Sequence, residues 1–208
     1  MIIDTDDLLN SIKDSFENIK YVKSEEIPDI DLYMDQVTTF LDEKLKSSAR
    51  NPKDEETLVT KTMINNYAKT DVIPAPVRKK YSRDHLFLII FVYYYKNFLQ
   101  INDVKTLLDP IRENFLDAKG EFGIEDVYKE VFDNLHETFV KIEADVTKDY
   151  EEAMKSFENA PESEREYLKI FNLISKISTD IYVKKLLVEK MIDSIKEHRM
   201  EDVQESEV

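Results

Sequence analysis

The chain has no cysteine, two glycines, six prolines and three histidines among 208 residues. Without cysteine there are no disulfides, no thiolate zinc ligands and no cysteine nucleophile. A cysteine-free chain fits a reducing compartment, so a cytoplasmic location is expected. The two glycines, Gly120 and Gly123, leave no material for phosphate-cradling loops or dinucleotide turns, nor for the tight turns of β-sandwiches. No serine sits in a glycine-flanked elbow of the kind hydrolases use. A mostly helical protein remains. The longest apolar run, residues 86–95, is too short to span ~30 Å of hydrocarbon. The first twenty residues carry Asp4, Asp6, Asp7 and Asp14 and no apolar core, so neither a secretion signal nor a membrane partner is expected.

Charge is plentiful and unevenly placed. The net charge is −15, from 29 basic and 44 acidic residues. Residues 1–56 carry 7 basic and 15 acidic side chains, and residues 119–208 carry 13 and 23. Residues 57–118 reverse the balance, with 9 basic and 6 acidic. An acidic chain with a basic middle points to a localised anionic partner rather than to general attraction for polyanions.

Helical periodicity dominates. Leu8, Leu9, Ile12, Phe16 and Ile19 mark a first amphipathic helix, broken at Pro28. A second is expected over 32–45, a polar loop over 46–57 and a short helix over 58–69. Pro74 and Pro76 exclude helix from 72–81 and suit an extended or hairpin segment. Residues 83–100 are apolar almost all round, the mark of a central core helix in which Tyr93, Tyr94 and Tyr95 pack. Asn102 reads as the N-cap of the next helix, which carries Val104, Leu107, Leu108, Ile111 and Phe115. Gly120 and Gly123 read as a hinge. Two long helices follow, one striped by Val127, Val131, Leu135, Phe139 and Tyr150. The other is striped by Tyr167, Phe171, Ile174, Ile181 and Ile195, and the break falls at Pro161. A helix pair of that length cannot cover its stripes on a small domain, so self-association is expected.

On a helical wheel of 60–69, Met63, Ile64, Tyr67 and Ala68 share one side. Thr62, Asn65 and Lys69 lie opposite, flanked by Lys61 and Asn66. Asparagine can bond adenine at two atoms, and lysine can reach guanine or phosphate. Arg78, Lys79, Lys80 and Arg83 then crowd around Tyr81. A basic extended strip after a helix with a Lys/Asn face suits a recognition helix followed by a phosphate-contacting wing.

The run from Thr60 to Pro74, the segment Tyr81-Ser82-Arg83-Asp84-His85-Leu86, and residues 101–108 together resemble the MerR-type winged helix-turn-helix. Tyr67, Ile73-Pro74, Tyr81 and Asp103-Val104-Lys105 carry the likeness. Leu32-Tyr33-Met34-Asp35-Gln36-Val37, Met63-Ile64-Asn65-Asn66-Tyr67 and Lys79-Lys80-Tyr81-Ser82-Arg83 resemble more closely an uncharacterised bacterial family, domain of unknown function 1836. The likeness covers residues 27–115, roughly half the chain. It implies a DNA-binding fold with 32–45 as supporting helix and 58–69 as recognition helix.

Other chemistry finds little support. Asp133 and His136 have the i, i+3 spacing of a carboxylate-bridged metal helix, but no second such motif accompanies them. His85 and His198 stand alone. No catalytic residue, metal or cofactor is expected. The expected architecture is all-α with a small β wing. Residues 1–26 form an N-terminal helix and 27–118 a MerR-like winged helix-turn-helix. Residues 119–208 form a helical hairpin for dimerisation or effector binding. The expected function is a transcriptional regulator that binds double-stranded DNA as a homodimer, its effector left open. Lys61, Thr62, Asn65, Asn66, Lys69, Arg78, Lys79, Lys80 and Arg83 would make the contacts. The rival expectation is a protein-interaction module that docks an acidic partner on the same strip.

Overall fold

The computed structural model describes residues 5–18, 21–46, 57–116, 118, 122–133 and 135–206. Their regular structure is helical apart from a two-stranded antiparallel sheet, with one 3-10 turn among the helices, so the chain is all-α in the broad sense. They divide into two compact units.

One unit comprises residues 5–18 and 135–186. It contains α1 (Thr5–Asn18), α7 (Leu135–Met154) and the first part of α8 (Glu162–Ser206). Its core is small: Tyr150, Ala153 and Leu173 are buried, with Leu9, Ile12, Met154 and Ile177 packed around them. Lys176 ties α8 back to α7 through Asp149 (3.0 Å) and Glu152. The turn between these helices closes on Phe157, which adopts a φ of 56°. Pro161 then accepts the first amide bonds of α8, from Glu164 and Arg165, each at 3.0 Å.

The other unit comprises residues 21–133 and 187–206. After a 3-10 turn at Ser24–Glu26 come β1 (Leu32–Tyr33), α2 (Met34–Leu45) and α3 (Lys61–Lys69). Then follow β2 (Lys80–Tyr81), α4 (Arg83–Lys96), α5 (Ile101–Phe115) and α6 (Ile124–Asp133). Leu32 pairs with Tyr81 and Tyr33 with Lys80. Helix α4 is the centre, as its all-round apolar sequence requires: every residue from His85 to Tyr93 is buried. Helices α5 and α6 and strand β2 pack on it. Tyr128 of α6 sits 4.7 Å from the Phe87 ring and 5.4 Å from Phe91, and Phe132 lies 4.5 Å from Tyr128. The Tyr128 hydroxyl donates to the carbonyl of Val22. Arg199, near the end of α8, makes a two-pronged pair with Glu113 of α5 at 2.7 and 3.0 Å.

Several expected details differ. The stretch 127–157 is two helices, α6 and α7, in different units. The buried stripe of α6 is Ile124, Tyr128 and Phe132, while Val131 is exposed. Both stripes have i, i+4 spacing, and the aromatic one buries more area. The cap of α5 is Gln100, which leaves Asn102 inside the first turn. Strand β2 completes a sheet with β1, 48 positions earlier, instead of closing only on its own hairpin. Most of the polar loop and the Gly120 side of the hinge fall outside the described residues. Gly123 is described, and its amide donates to the Asp126 carboxylate (2.8 Å) to start α6.

Candidate nucleic-acid interface

Helix α3 begins where Thr60 accepts the Met63 amide on its hydroxyl (3.2 Å), a side-chain N-cap. It buries Ile64 and Tyr67, and that burial pushes the Tyr67 phenol above its ordinary range. Lys61, Thr62, Asn65, Asn66 and Lys69 are all exposed, so one face of α3 carries the polar set read from the wheel. Lys61 is ion-paired with Asp35 at the start of α2, and both side chains remain mostly in solvent. Such a pair contributes little and exchanges easily.

The exit from α3 is fixed by a charge cluster. Asp71 adopts a φ of 56°, and its carbonyl accepts from Lys105 (2.8 Å) and Arg112 (2.7 Å) of α5. Its carboxylate pairs with Arg112 at 2.6 Å and Lys105 at 3.1 Å, and Asp109 braces both cations at 3.1 Å. The Arg112 and then the Lys105 hydrogen bonds hold the Asp71 carboxyl down to about 2. Just beyond, the Val72 amide bonds the Tyr67 carbonyl (2.8 Å), and Val72 and Ile73 are buried. The chain is therefore pinned on leaving α3.

Pro74 and Pro76 then stiffen a short extended approach to a four-residue turn, residues 77–80, closed by Lys80 N–H to Val77 C=O at 2.9 Å. Its central residues are Arg78 (φ 51°) and Lys79 (φ 66°). Paired positive φ values match the twist of a hairpin, and such positions normally hold Asn-Gly. Side-chain-bearing residues there cost about 1–2 kcal/mol each. Arg78 and Lys79 are exposed and have no ion-pair partner among the described residues. Lys80 lies 5.2 Å over the Tyr33 ring. Tyr81 is buried and returns the chain to the core.

Arg83 behaves differently from its neighbours in sequence. Its guanidinium donates to the Ser24 carbonyl (2.9 Å), pairs with both Glu125 oxygens (2.9 and 3.1 Å) and stacks 5.5 Å over Phe87. It joins the 3-10 turn, α4 and α6, and is half-buried between them. His85, two residues on, is buried, and its Nδ1 accepts the Ser82 amide at the start of α4 (3.2 Å).

The structure thus places Lys61, Thr62, Asn65, Asn66 and Lys69 on one exposed helix face, and Arg78, Lys79 and Lys80 on one rigid turn. Arg83 is engaged instead with Ser24, Glu125 and Phe87. Tyr33, Asp71, Lys105 and Arg112 support this surface, and the sequence pattern does not mark them as supports. Only the spacing of Lys105, Asp109 and Arg112 on one helix face gave a signal. Among the described residues no cluster of His and carboxylates is arranged to hold a metal ion, and no helix is long and apolar enough to cross a membrane.

The model of a family described as "Domain of unknown function (DUF1836)" matches residues 22–131. The chain belongs to this family, and the match takes in every residue of the polar helix face and the cationic turn. No curated protein and no solved structure matches the chain.

Proposed function

We propose that this protein is a DNA-binding transcriptional regulator built on a MerR-like winged helix-turn-helix. In this reading α2 is the supporting helix, α3 the recognition helix and residues 72–81 the wing. The observation that carries it is the confinement of positive charge. In a chain of net charge −15, Lys61 and Lys69 on one helix face and Arg78 and Lys79 on one pinned turn are exposed, with the half-buried Lys80 beside them over the Tyr33 ring. Thr62, Asn65 and Asn66 supply groups of the type that bond base edges in a major groove. The cations bond phosphate and set orientation. Arg83 serves the fold of the domain, not the DNA.

The second part of the proposal is a homodimer. Tyr167, Phe171, Ile174 and Ile181 recur along α8 at heptad-compatible spacing, and all four are exposed. Contiguous exposed apolar side chains on a helix support association with a second copy. Two copies would then address a two-fold site. Selection of bound fragments from the genomic DNA of the source organism, at low salt, tests the reading. Enrichment of a sequence with two-fold symmetry supports it. Failure to retain any fragment favours a module that docks an acidic protein on the same strip.

A further inference from the structure

Helices α7 and α8 leave part of their shared face uncovered. Near the turn that joins them α1 fills it, where Leu9 and Ile12 pack on the Tyr150, Ala153 and Leu173 cluster. Farther from the turn an open groove of about 470 Å³ runs between Ile142 and Val146 of α7 and Ile177 and Ile181 of α8. Ile142 and Ile181 are 38% and 57% exposed, so aliphatic side chains line it in contact with water. Helix α8 also carries a ridge. Tyr167 and Phe171 stack with ring centroids 6.3 Å apart, and about half of each residue is in solvent. Clefts of about 300–1,000 Å³ take ring-bearing groups. On one rigid helix the ridge lies on the turn side of Ile174 and the groove on the other, so a chain cannot fill its own groove with its own ridge. Groove and ridge both lie outside the family match.

Spacing and charge name the occupant. Tyr167 and Ile181 each stand seven residues from Ile174, which is 57% exposed. Seven residues are nearly two helical turns, so the three share one side of α8. Reversing a second α8 about Ile174 sets Tyr167 against Ile181 and Phe171 against Ile177, ridge against groove, twice. The same reversal sets Glu162, Glu164 and Glu166 at the start of α8 opposite Lys184 and Lys185 of the other copy. A parallel pair would set like charge against like, which costs affinity. Resting on the self-association proposed above, we propose that two copies join by reciprocal insertion. The Tyr167–Phe171 ridge of each enters the α7–α8 groove of the other across a two-fold axis at Ile174. Helix α7 supplies half of each socket through Ile142 and Val146. The interface is isologous and closes at two copies. Aromatic anchors seated in a pocket dominate the energy of such interfaces.

Sedimentation equilibrium of the full chain tests this, with circular dichroism to show that each variant keeps the wild-type helix content. The wild type is expected as a dimer. Ile142→Glu changes α7 alone and leaves every residue of α8 in place. It should raise the dimer dissociation constant about ten-fold or more, whereas a seam of α8 on α8 would not feel it. Glu164→Lys and Lys185→Glu each place two like-charge pairs across the dimer and should each weaken it by roughly ten-fold. An equal mixture of these two variants should regain wild-type affinity, because every pair across the mixed dimer is then of opposite sign. This charge exchange decides the matter if Ile142→Glu does not fold. A folded Ile142→Glu chain that dimerises as the wild type does overturns the insertion and leaves self-association standing. So does a loss in the charge variants that mixing does not restore, or charge variants that dimerise as the wild type does. A wild type that stays monomeric at high concentration overturns the insertion and the homodimer together.

Discussion

Replacing Arg83 by methionine separates a fold anchor from a DNA ligand. Methionine keeps an unbranched apolar stem over Phe87 but removes the fork that meets Ser24 and Glu125. Breaking a fully buried pair from one side costs about 3–5 kcal/mol. Here the Arg83 and Glu125 side chains are 23% and 32% exposed, and Lys129 still reaches Glu125 at 2.9 Å. Water and Lys129 therefore recover part of the loss, and the expected cost is about 2 kcal/mol. At a urea m-value of about 2 kcal/mol/M the unfolding midpoint falls by about 1 M. A double-mutant cycle with Glu125→Gln should return a coupling of about 1 kcal/mol or more. On the proposed reading the salt dependence of DNA binding should not change, because the Arg83 guanidinium is engaged with Ser24 and Glu125. A loss of stability below about 0.5 kcal/mol, with a salt slope about one unit shallower, would refute this assignment and return Arg83 to the interface.

Asp71 gives a pH signature. Its carboxyl titrates at about 2 in the folded chain, below an unfolded value of about 3.9, so its contribution is present above pH 4 and disappears as pH falls from about 4 to 2. Because the side chain is 67% exposed, Asp71→Asn should cost less than about 1 kcal/mol at pH 7. The two urea midpoints should converge near pH 2, and a gap that persists there contradicts the ion-pair account. Tyr67→Ala removes the largest buried side chain of α3 and should cost about 3–4 kcal/mol by urea unfolding, whereas Thr62→Ala on the open face should stay within about 0.5. On the proposed self-association, the wild type should sediment as a dimer at equilibrium and Phe171→Glu with Ile174→Glu as a monomer. A wild type that is itself a monomer at high concentration removes the self-association argument.

The sequence is most legible where one physical rule acts alone. Helix α4 is apolar on all sides, and no other placement than the centre buries it. Helix α3 has a sharp polar face, so Ile64 and Tyr67 could be placed inward and Asn65 and Lys69 outward from the wheel. Legibility fails where two patterns coexist or partners are remote. Helix α6 offers Val127 and Val131 or Ile124, Tyr128 and Phe132 at the same spacing, and only the ring cluster on Phe87 and Phe91 decides between them. Arg83 lies two residues from Tyr81 and reads as part of a basic run. Its partners are 59 and 42 positions away, beyond any local rule. The turn was legible as an extended basic strip, but positive φ at Arg78 and Lys79 was not, because nothing in Val-Arg-Lys-Lys signals such a turn. The Asp71 cluster joins two elements through an exposed aspartate that resembles any other acid in an acidic chain.

The central claim is that the exposed cations of α3 and the turn meet phosphate, and the salt dependence of DNA binding tests it most directly. Lys61, Lys69, Arg78, Lys79 and Lys80 are the five cations of that surface, and on DNA Lys61 would exchange Asp35, and Lys80 the Tyr33 ring, for phosphate. Log affinity should therefore fall against log salt with a slope near −4.5 per protomer, about −0.9 for each contact. The chain's net charge of −15 is screened beyond ~8 Å at physiological ionic strength and does not cancel these contacts. Lys79→Asn with Lys80→Gln should make the slope shallower by about two units and weaken binding to all sequences alike. An unchanged slope in that variant, or no binding to any selected fragment at low salt, contradicts the account.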